Sequence, residues 1–356
     1  MRLRSTFAVL SLVACARTAE SPPVETPPPK SPGSVAPAPV SAASTSDAPA
    51  ASASAPPPPS GPWTTLSKHS VDLEVADDDA LYGVHWNDIV RVAKKGGAQQ
   101  TLSSGYQTFA GEQRIAVDST EVYFGAFDHN AGGQRGLFRV AKEGGTTSKL
   151  AALDFDVEGI AVDDTRVYLT HRYDGEKLRG IMAVPKKGGK VTMLVANRSA
   201  GKVFVEDAFI MWANYDAAGI VYDGNIERMP RKGGAVTNLT AHGPAPFNFI
   251  PLTKSAASYI TKNCWDTKST PKPGCAVHLQ AGKTSTMLYG GSRQLCYGVG
   301  RNEAFVIDDG KAYAYGATGK ERIIAEGVPT CSADHALADA NYIYWSTPTG
   351  LLKLPW

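Results

Sequence analysis

Neither sign of charge dominates this chain of 356 residues: 36 Lys and Arg stand against 34 Asp and Glu, a formal net charge of +2. Nucleic-acid partners are usually matched by a strong basic excess, so the near-balance argues against one. No HExxH, GxSxG, GxGxxG or CxxC occurs. That leaves no sequence grounds for a zincin, an α/β-hydrolase, a dinucleotide enzyme or a thiol redox centre. Long apolar runs are missing too, and a permanent spanning helix needs roughly 20 such residues. Cysteine is scarce, at five. Metal ligation by Cys/His spacing and a built-in cofactor are therefore not expected.

What is present begins at the N-terminus. Arg2 and Arg4 precede a short apolar segment, Phe7-Ala8-Val9-Leu10-Ser11-Leu12-Val13-Ala14, the layout of an export signal. It ends in Leu12-Val13-Ala14-Cys15, which resembles the lipobox of bacterial lipoprotein signal peptides. The resemblance implies residues 1–14 as a cleaved signal, Cys15 as the lipidated residue and a location in the bacterial cell envelope, on the outer membrane, with the rest outside the cytoplasm. Several acyl chains on one residue hold a protein on a membrane stably, where a single chain is marginal. An ordinary secretory signal is the alternative.

Residues 15–62 read as a linker. Ala, Ser and Pro dominate, and Pro27-Pro28-Pro29 and Pro56-Pro57-Pro58-Pro59 oppose helix and sheet alike. An extended Pro-rich tether of this length reaches on the order of 100 Å. Beyond it lie Cys264, Cys275, Cys296 and Cys331. An even number in an exported chain suggests disulfides, with three pairings possible. The expected pairs are Cys264–Cys275, closing one loop, and Cys296–Cys331, joining the entries to two neighbouring strands; four free buried thiols are the alternative.

From residue 63 to 356 one pattern recurs. Ile115-Ala116-Val117-Asp118-Ser119-Thr120-Glu121-Val122-Tyr123-Phe124 is echoed by Ile160-Ala161-Val162-Asp163-Asp164-Thr165-Arg166-Val167-Tyr168-Leu169, a strand, an acidic turn and a second strand. A third strand then runs into a basic Gly-Gly turn, as at Lys94-Lys95-Gly96-Gly97, Lys142-Glu143-Gly144-Gly145, Lys186-Lys187-Gly188-Gly189 and Arg231-Lys232-Gly233-Gly234, and a fourth strand follows. The second-strand anchors Tyr82, Tyr123, Tyr168, Met211, Tyr259, Phe305 and Tyr344 recur at intervals of 39–48 residues. Seven four-stranded units at this period predict an all-β, seven-bladed β-propeller of antiparallel blades. The last unit stops after its third strand, while Trp63-Thr64-Thr65-Leu66-Ser67 resembles a fourth. The N-terminal strand is thus expected to complete blade seven and close the ring, protecting an edge.

The run Ile343-Tyr344-Trp345-Ser346 followed by Leu351-Leu352-Lys353-Leu354-Pro355 resembles YWTD-type propeller repeats. The resemblance covers residues 63–356 and departs in blade number, since that family has six. It bears on fold and not on function, because propellers host many activities.

Candidate sites follow from the blade frame. Loops between second and third strands edge the mouth used for ligands, and the residues heading them include His85, Trp86, Phe127, His171, Arg172, Asn214, Tyr215, Lys262, Trp265 and Asp308. A mouth rich in His, Trp and Tyr suits partner capture; capping of blades is the plainer reading. The acidic turns at Asp77, Asp118, Asp163 and Asp339 suit turn formation better than calcium, because they are spread around the repeat rather than converging. Charge balance, or contact with anionic lipid, accounts for the basic turns. Ala281-Gly282-Lys283-Thr284-Ser285 mimics the tail of a phosphate loop but lacks its first glycine, with Val277 in that place. The expected function is a non-catalytic scaffold, monomeric, binding an envelope protein or glycan. The alternatives are a lyase or hydrolase using His85 or His171 as a base with a bound metal, and an envelope or outer-membrane assembly factor.

Overall fold

In the computed structural model the described residues are 61–356, apart from 110, 172–179, 207, 216–222, 245–248, 252–257, 264–274, 282–283, 292–294, 317 and 333–335. Cys15, the linker to residue 60, Arg172, Cys264 and Trp265 lie outside them. Residues 58–356 form one compact unit.

The described chain is all-β, with one three-residue 3-10 turn at His129–Ala131, and its strands pair in seven antiparallel sheets. The first sheet runs Asp72–Ala76, Ala80–His85, Asp88–Ala93, Gln100–Ser103, each strand paired to the next. The third repeats this order as Gly159–Val162, Arg166–His171, Gly180–Pro185, Thr192–Ala196, and the sixth as Cys296–Gly300, Glu303–Asp308, Lys311–Tyr315, Glu321–Glu326. All seven anchors, Tyr82 to Tyr344, fall on second strands. Two sheets differ from the expected four strands. Tyr106–Thr108 pairs with the outer half of Glu121–Asp128, and Gly243–Pro244 pairs with Asp223–Pro230, each adding a short fifth strand. Both extend a second or third strand that outruns its neighbours.

The seventh sheet draws on both ends of the unit. Its order is Ala336–Ala338, Tyr342–Thr347, Gly350–Pro355 and then Thr64–Ser67, with Thr65 opposite Leu352. Leu66 is thereby buried with Leu351, Tyr344, Leu73 and Val90.

Core clusters lie between consecutive sheets rather than within them. One joins sheets one and two around Tyr82 and Phe124; the next joins two and three around Tyr123 and Leu169. Sheets three and four share Tyr168 and Trp212. Sheets five and six share Val277 and Tyr297, and six and seven share Phe305 and Trp345. Alternating strand residues thus bury on both faces of a sheet, which suits the near-continuous apolar second strands such as Val122-Tyr123-Phe124. Cys296 and Cys331 are bonded across sheets six and seven with their Cα atoms 6.0 Å apart, the pairing read from the sequence. Cys275 is also disulfide-bonded.

Candidate functional site: a clasped rim, an aromatic edge and a buried charge cluster

Each antiparallel sheet presents its first turn (strand one to two) and third turn (three to four) at one end, and its second-to-third hairpin at the other. At the first end a four-part clasp recurs. Asp77 Oδ1 accepts from the Asp79 and Ala80 N–H groups, closing the acidic turn, while Oδ2 accepts from Tyr82 Oη at 2.8 Å. Asp118 with Tyr123, Asp163 with Tyr168 and Asp339 with Tyr344 repeat the arrangement at 2.7–2.8 Å. The fourth part comes from the next sheet. Lys142 Nζ reaches Asp77 at 2.7 Å, Lys186 pairs with Asp118, Arg231 reaches Asp163 at 3.3 Å, and Lys94 reaches Asp339 at 2.9 Å.

The Gly-Gly turns explain why these cations point correctly. Gly96 and Gly97 have φ of +89° and +132°, a path an L side chain rarely takes. Lys94 N–H donates to Asp79 O of its own sheet, and this fixes the turn while the side chain crosses to the preceding sheet. Against burial, which would raise it, Lys142, the Tyr82 hydroxyl and two N–H groups hold the Asp77 carboxyl down at about 2. Asp339 is likewise held at about 2 against burial by Tyr344, backbone N–H groups and Lys94. Burial and the Asp163 carboxylate push the Tyr168 phenol up to about 12. These acids and bases are structural partners of one another, a stronger role than the solvated charge balance expected of the basic turns.

At the opposite end the mouth candidates separate. Trp86 heads the tight hairpin between His85 and Asp88, is 86% exposed, and has a φ of +58°. Its ring lies edge-on to His85, with centroids 6.4 Å apart, and His85 tilts against His69 at 5.8 Å. His69 and His85 help line an open groove of about 670 Å³ with Lys68, Gln99 and Thr101. Phe127 is half-buried against Phe109 and under Arg135. His171 is buried, its Nδ1 2.8 Å from Asp156 O. Asp308 is buried and accepts from Tyr289 Oη at 3.2 Å. Asn214 donates to Asn225 Oδ1. Lys262 lies in the strand Ser258–Asn263. Tyr215 is buried and turned inward, because it spends its hydroxyl on Glu112 at 2.6 Å.

That bond leads to a cluster the sequence reading missed. Glu112 Oε2 accepts from the Lys202 N–H at 3.0 Å. Glu74 is buried and takes two bonds from Arg114, through N–H at 3.0 Å and Nε at 2.6 Å, while Arg114 also reaches Asp72 at 3.3 Å. Burial pushes the Glu74 carboxyl up, with Arg114 opposing. Burial pulls the Lys202 amine down to about 8, with Glu74 and Glu112 opposing. Residues from the first, second and fourth sheets meet here. The signal available was a charge inside first strands otherwise apolar, as in Leu73-Glu74-Val75 and Gly201-Lys202-Val203. Among the described residues no group of three or more His, Cys, Asp or Glu could hold a metal.

No protein-family model and no curated protein matches the chain. Solved structures do. Virginiamycin B lyase from Staphylococcus aureus aligns over 83% of this chain and 100% of its own, at 12% identity and a TM-score of 0.52. A puromycin-hydrolyzing peptidase from Mycobacterium tuberculosis aligns over 78% and 48%, at 13% identity and 0.55. PorZ, a surface component of the type-IX secretion system of Porphyromonas gingivalis, aligns over 82% and 37%, at 11% and 0.50. The fold is propeller-like. This chain spans less than half of the latter two, and at such identity the likeness extends to fold alone.

Proposed function

We propose that the seven sheets are the blades of a closed propeller, tethered outside the cytoplasm by lipidated Cys15 and its linker, and that this propeller is a non-catalytic scaffold capturing an envelope protein or glycan. The observation that carries the reading is Trp86. An aromatic side chain left 86% exposed, on a backbone at φ +58°, is unfavourable twice over. Strain of this kind costs on the order of 1–3 kcal/mol and clusters at functional positions. Buried Trp, Tyr and Arg anchors dominate interface energies, so an exposed Trp beside the His85 imidazole suits a docking edge. The carboxylates of the buried cluster, by contrast, are already committed to Arg114, Tyr215 and the Lys202 N–H. The Cys296–Cys331 disulfide fits an oxidising compartment.

Crosslinked pull-down from intact envelopes tests this. Trp86→Ala should lose the captured partner while circular dichroism and melting stay unchanged, and Cys15→Ser should move the protein from the detergent to the aqueous phase. Undiminished capture by Trp86→Ala would sink the docking edge.

An enzymatic reading has one observation in its favour, the buried Lys202 amine at about 8 between two carboxylates. Perturbed groups of this kind also occur in purely structural networks, so it stands second.

A further inference from the structure

His69 and His85 pack together at the seam of the seventh and first sheets, with Trp86 beside His85. His69 follows the strand Thr64–Ser67 that completes the seventh sheet, and its backbone N–H is tied to Ser67 Oγ at 3.1 Å. His85 ends the second strand of the first sheet. Their rings are 5.8 Å apart, centre to centre, and tilted by 54°. Among the described residues, neither ring makes a hydrogen bond or ion pair through its nitrogens. Other histidines spend a ring nitrogen on a protein partner, as His129 does on Gln107 and His171 on Asp156. A ring nitrogen without a protein partner is open to an incoming ligand.

Geometry decides what such a pair can hold. A metal–nitrogen bond of about 2.0–2.1 Å places the ion roughly 3 Å from each ring centre, so two imidazoles at a tetrahedral angle sit with centres about 5 Å apart. The observed 5.8 Å is within a small side-chain adjustment of that figure. Imidazole nitrogen selects borderline ions, and hard cations such as Mg²⁺ prefer oxygen. No third His, Cys, Asp or Glu joins the pair among the described residues. Remaining coordination positions therefore open toward the groove of about 670 Å³ that both rings line.

We propose that His69 and His85 form a two-imidazole site for a divalent transition-metal ion, Zn²⁺, Cu²⁺ or Ni²⁺, whose open positions accept an oxygen or nitrogen donor from the partner docked on Trp86. The proposal rests on the docking reading above for its second half only. The metal half stands on the two rings. Because the histidines come from different sheets, a bound ion would also bridge the seam between the first and seventh sheets.

Titration of the full chain with Cu²⁺ and with Zn²⁺ alone, by calorimetry and by tryptophan fluorescence, tests it. The wild type should bind an equivalent that His69→Gln and His85→Asn each lose, with Mg²⁺ producing no heat. Cu²⁺ should quench fluorescence in the wild type, and Trp86→Phe should lose most of the quenching while keeping the equivalent. Far-ultraviolet circular dichroism and melting of the apo variants should match the wild type, which separates loss of ligand from loss of fold. Retention of the same stoichiometry by both histidine variants, or no binding by the wild type, overturns the site. If metal binding fails yet Trp86→Ala still loses its partner, the docking reading survives alone. If Trp86→Ala keeps its partner while the equivalent is present, the ion stands without it.

Discussion

Lys94 Nζ lies 2.9 Å from Asp339 Oδ2, joining the first sheet to the seventh through the same clasp that joins one to two, two to three and three to four. The seam between the first and seventh sheets is therefore built like the joints between sheets one to four. Ser70 Oγ and Val71 N–H add bonds to Ser346 Oγ, both at 3.1 Å, and Lys353 Nζ donates to Lys94 O. Asp339→Ala removes the acceptor of two N–H groups, a tyrosine hydroxyl and an ammonium, and should cost about 2–3 kcal/mol in urea denaturation. Lys94→Met removes the ion pair and the ammonium over the Tyr344 ring but leaves the turn bonds of Asp339 in place, and should cost less, about 1 kcal/mol. Equal losses for the two would mean that the turn itself contributes nothing.

The clasps also set an acid limit. Asp77 and Asp339 titrate in the folded protein at about 2, and Asp118 and Asp163 are lowered too. A depressed carboxylate contributes stability that is present above its unfolded value, near 4, and is lost as pH falls toward the folded value. Melting should thus be nearly flat from pH 6 to 5 and drop steeply between about 4 and 2. The Asp77→Asn and Asp339→Asn double variant should start lower and fall less over that window. A parallel decline in both proteins would assign acid lability elsewhere.

Truncation separates the N-terminal strand from the tether. Removing residues 16–60 should leave melting unchanged, because every pairing of Thr64–Ser67 remains. Removing residues through Ser67 strips the outer edge of the seventh sheet and exposes Leu351 and Val90 where Leu66 covered them. Burial of one leucine alone is worth about 1.5–3 kcal/mol, before the lost strand pairing is counted. Indistinguishable melting of the two truncations would argue against closure through this strand.

Much of this scaffold was legible because its period is written in local chemistry. An Asp five residues before a Tyr marks turn and anchor together, and Gly-Gly marks the next turn, so strands and their order follow. The Cys296–Cys331 bond was legible for a similar reason, Cys296 opening and Cys331 preceding the first strands of adjacent repeats. The clasp itself was not, since Lys142 serves Asp77 of the preceding sheet rather than Asp118 of its own, and a one-repeat offset leaves no trace in a single repeat. The inward turn of Tyr215 was hidden because its partner, Glu112, lies outside the repeated positions. Arg114, Glu74 and Lys202 meet for the same reason only in three dimensions.

Arg114 tests whether that cluster is a pin. Arg114→Met leaves the Glu74 carboxylate buried with the backbone N–H of residue 114 but without the guanidinium, and loss of one partner from a buried pair costs about 3–5 kcal/mol. Glu74→Gln combined with Arg114→Met should recover part of this, since a neutral amide is easier to bury. Additive losses across the cycle would mean that the two side chains act independently.

Lys202 offers the sharpest readout of burial. Its folded pKa of about 8 lies below the unfolded value near 10.4, so between these limits the unfolded chain holds a proton that the folded chain has released. A depressed value means stability that is present above the unfolded pKa and lost as pH falls through the folded one. Stability should therefore rise with pH from about 8, at up to about 1.4 kcal/mol per unit. Measurements between pH 8 and 9.5 stay below the ordinary tyrosine pKa near 10. Over that interval the wild type should gain stability relative to Lys202→Met, whose profile lacks the contribution. Because all other groups cancel in the difference, parallel profiles would show that the amine keeps its proton on folding, and would remove the one observation that favours chemistry at this site.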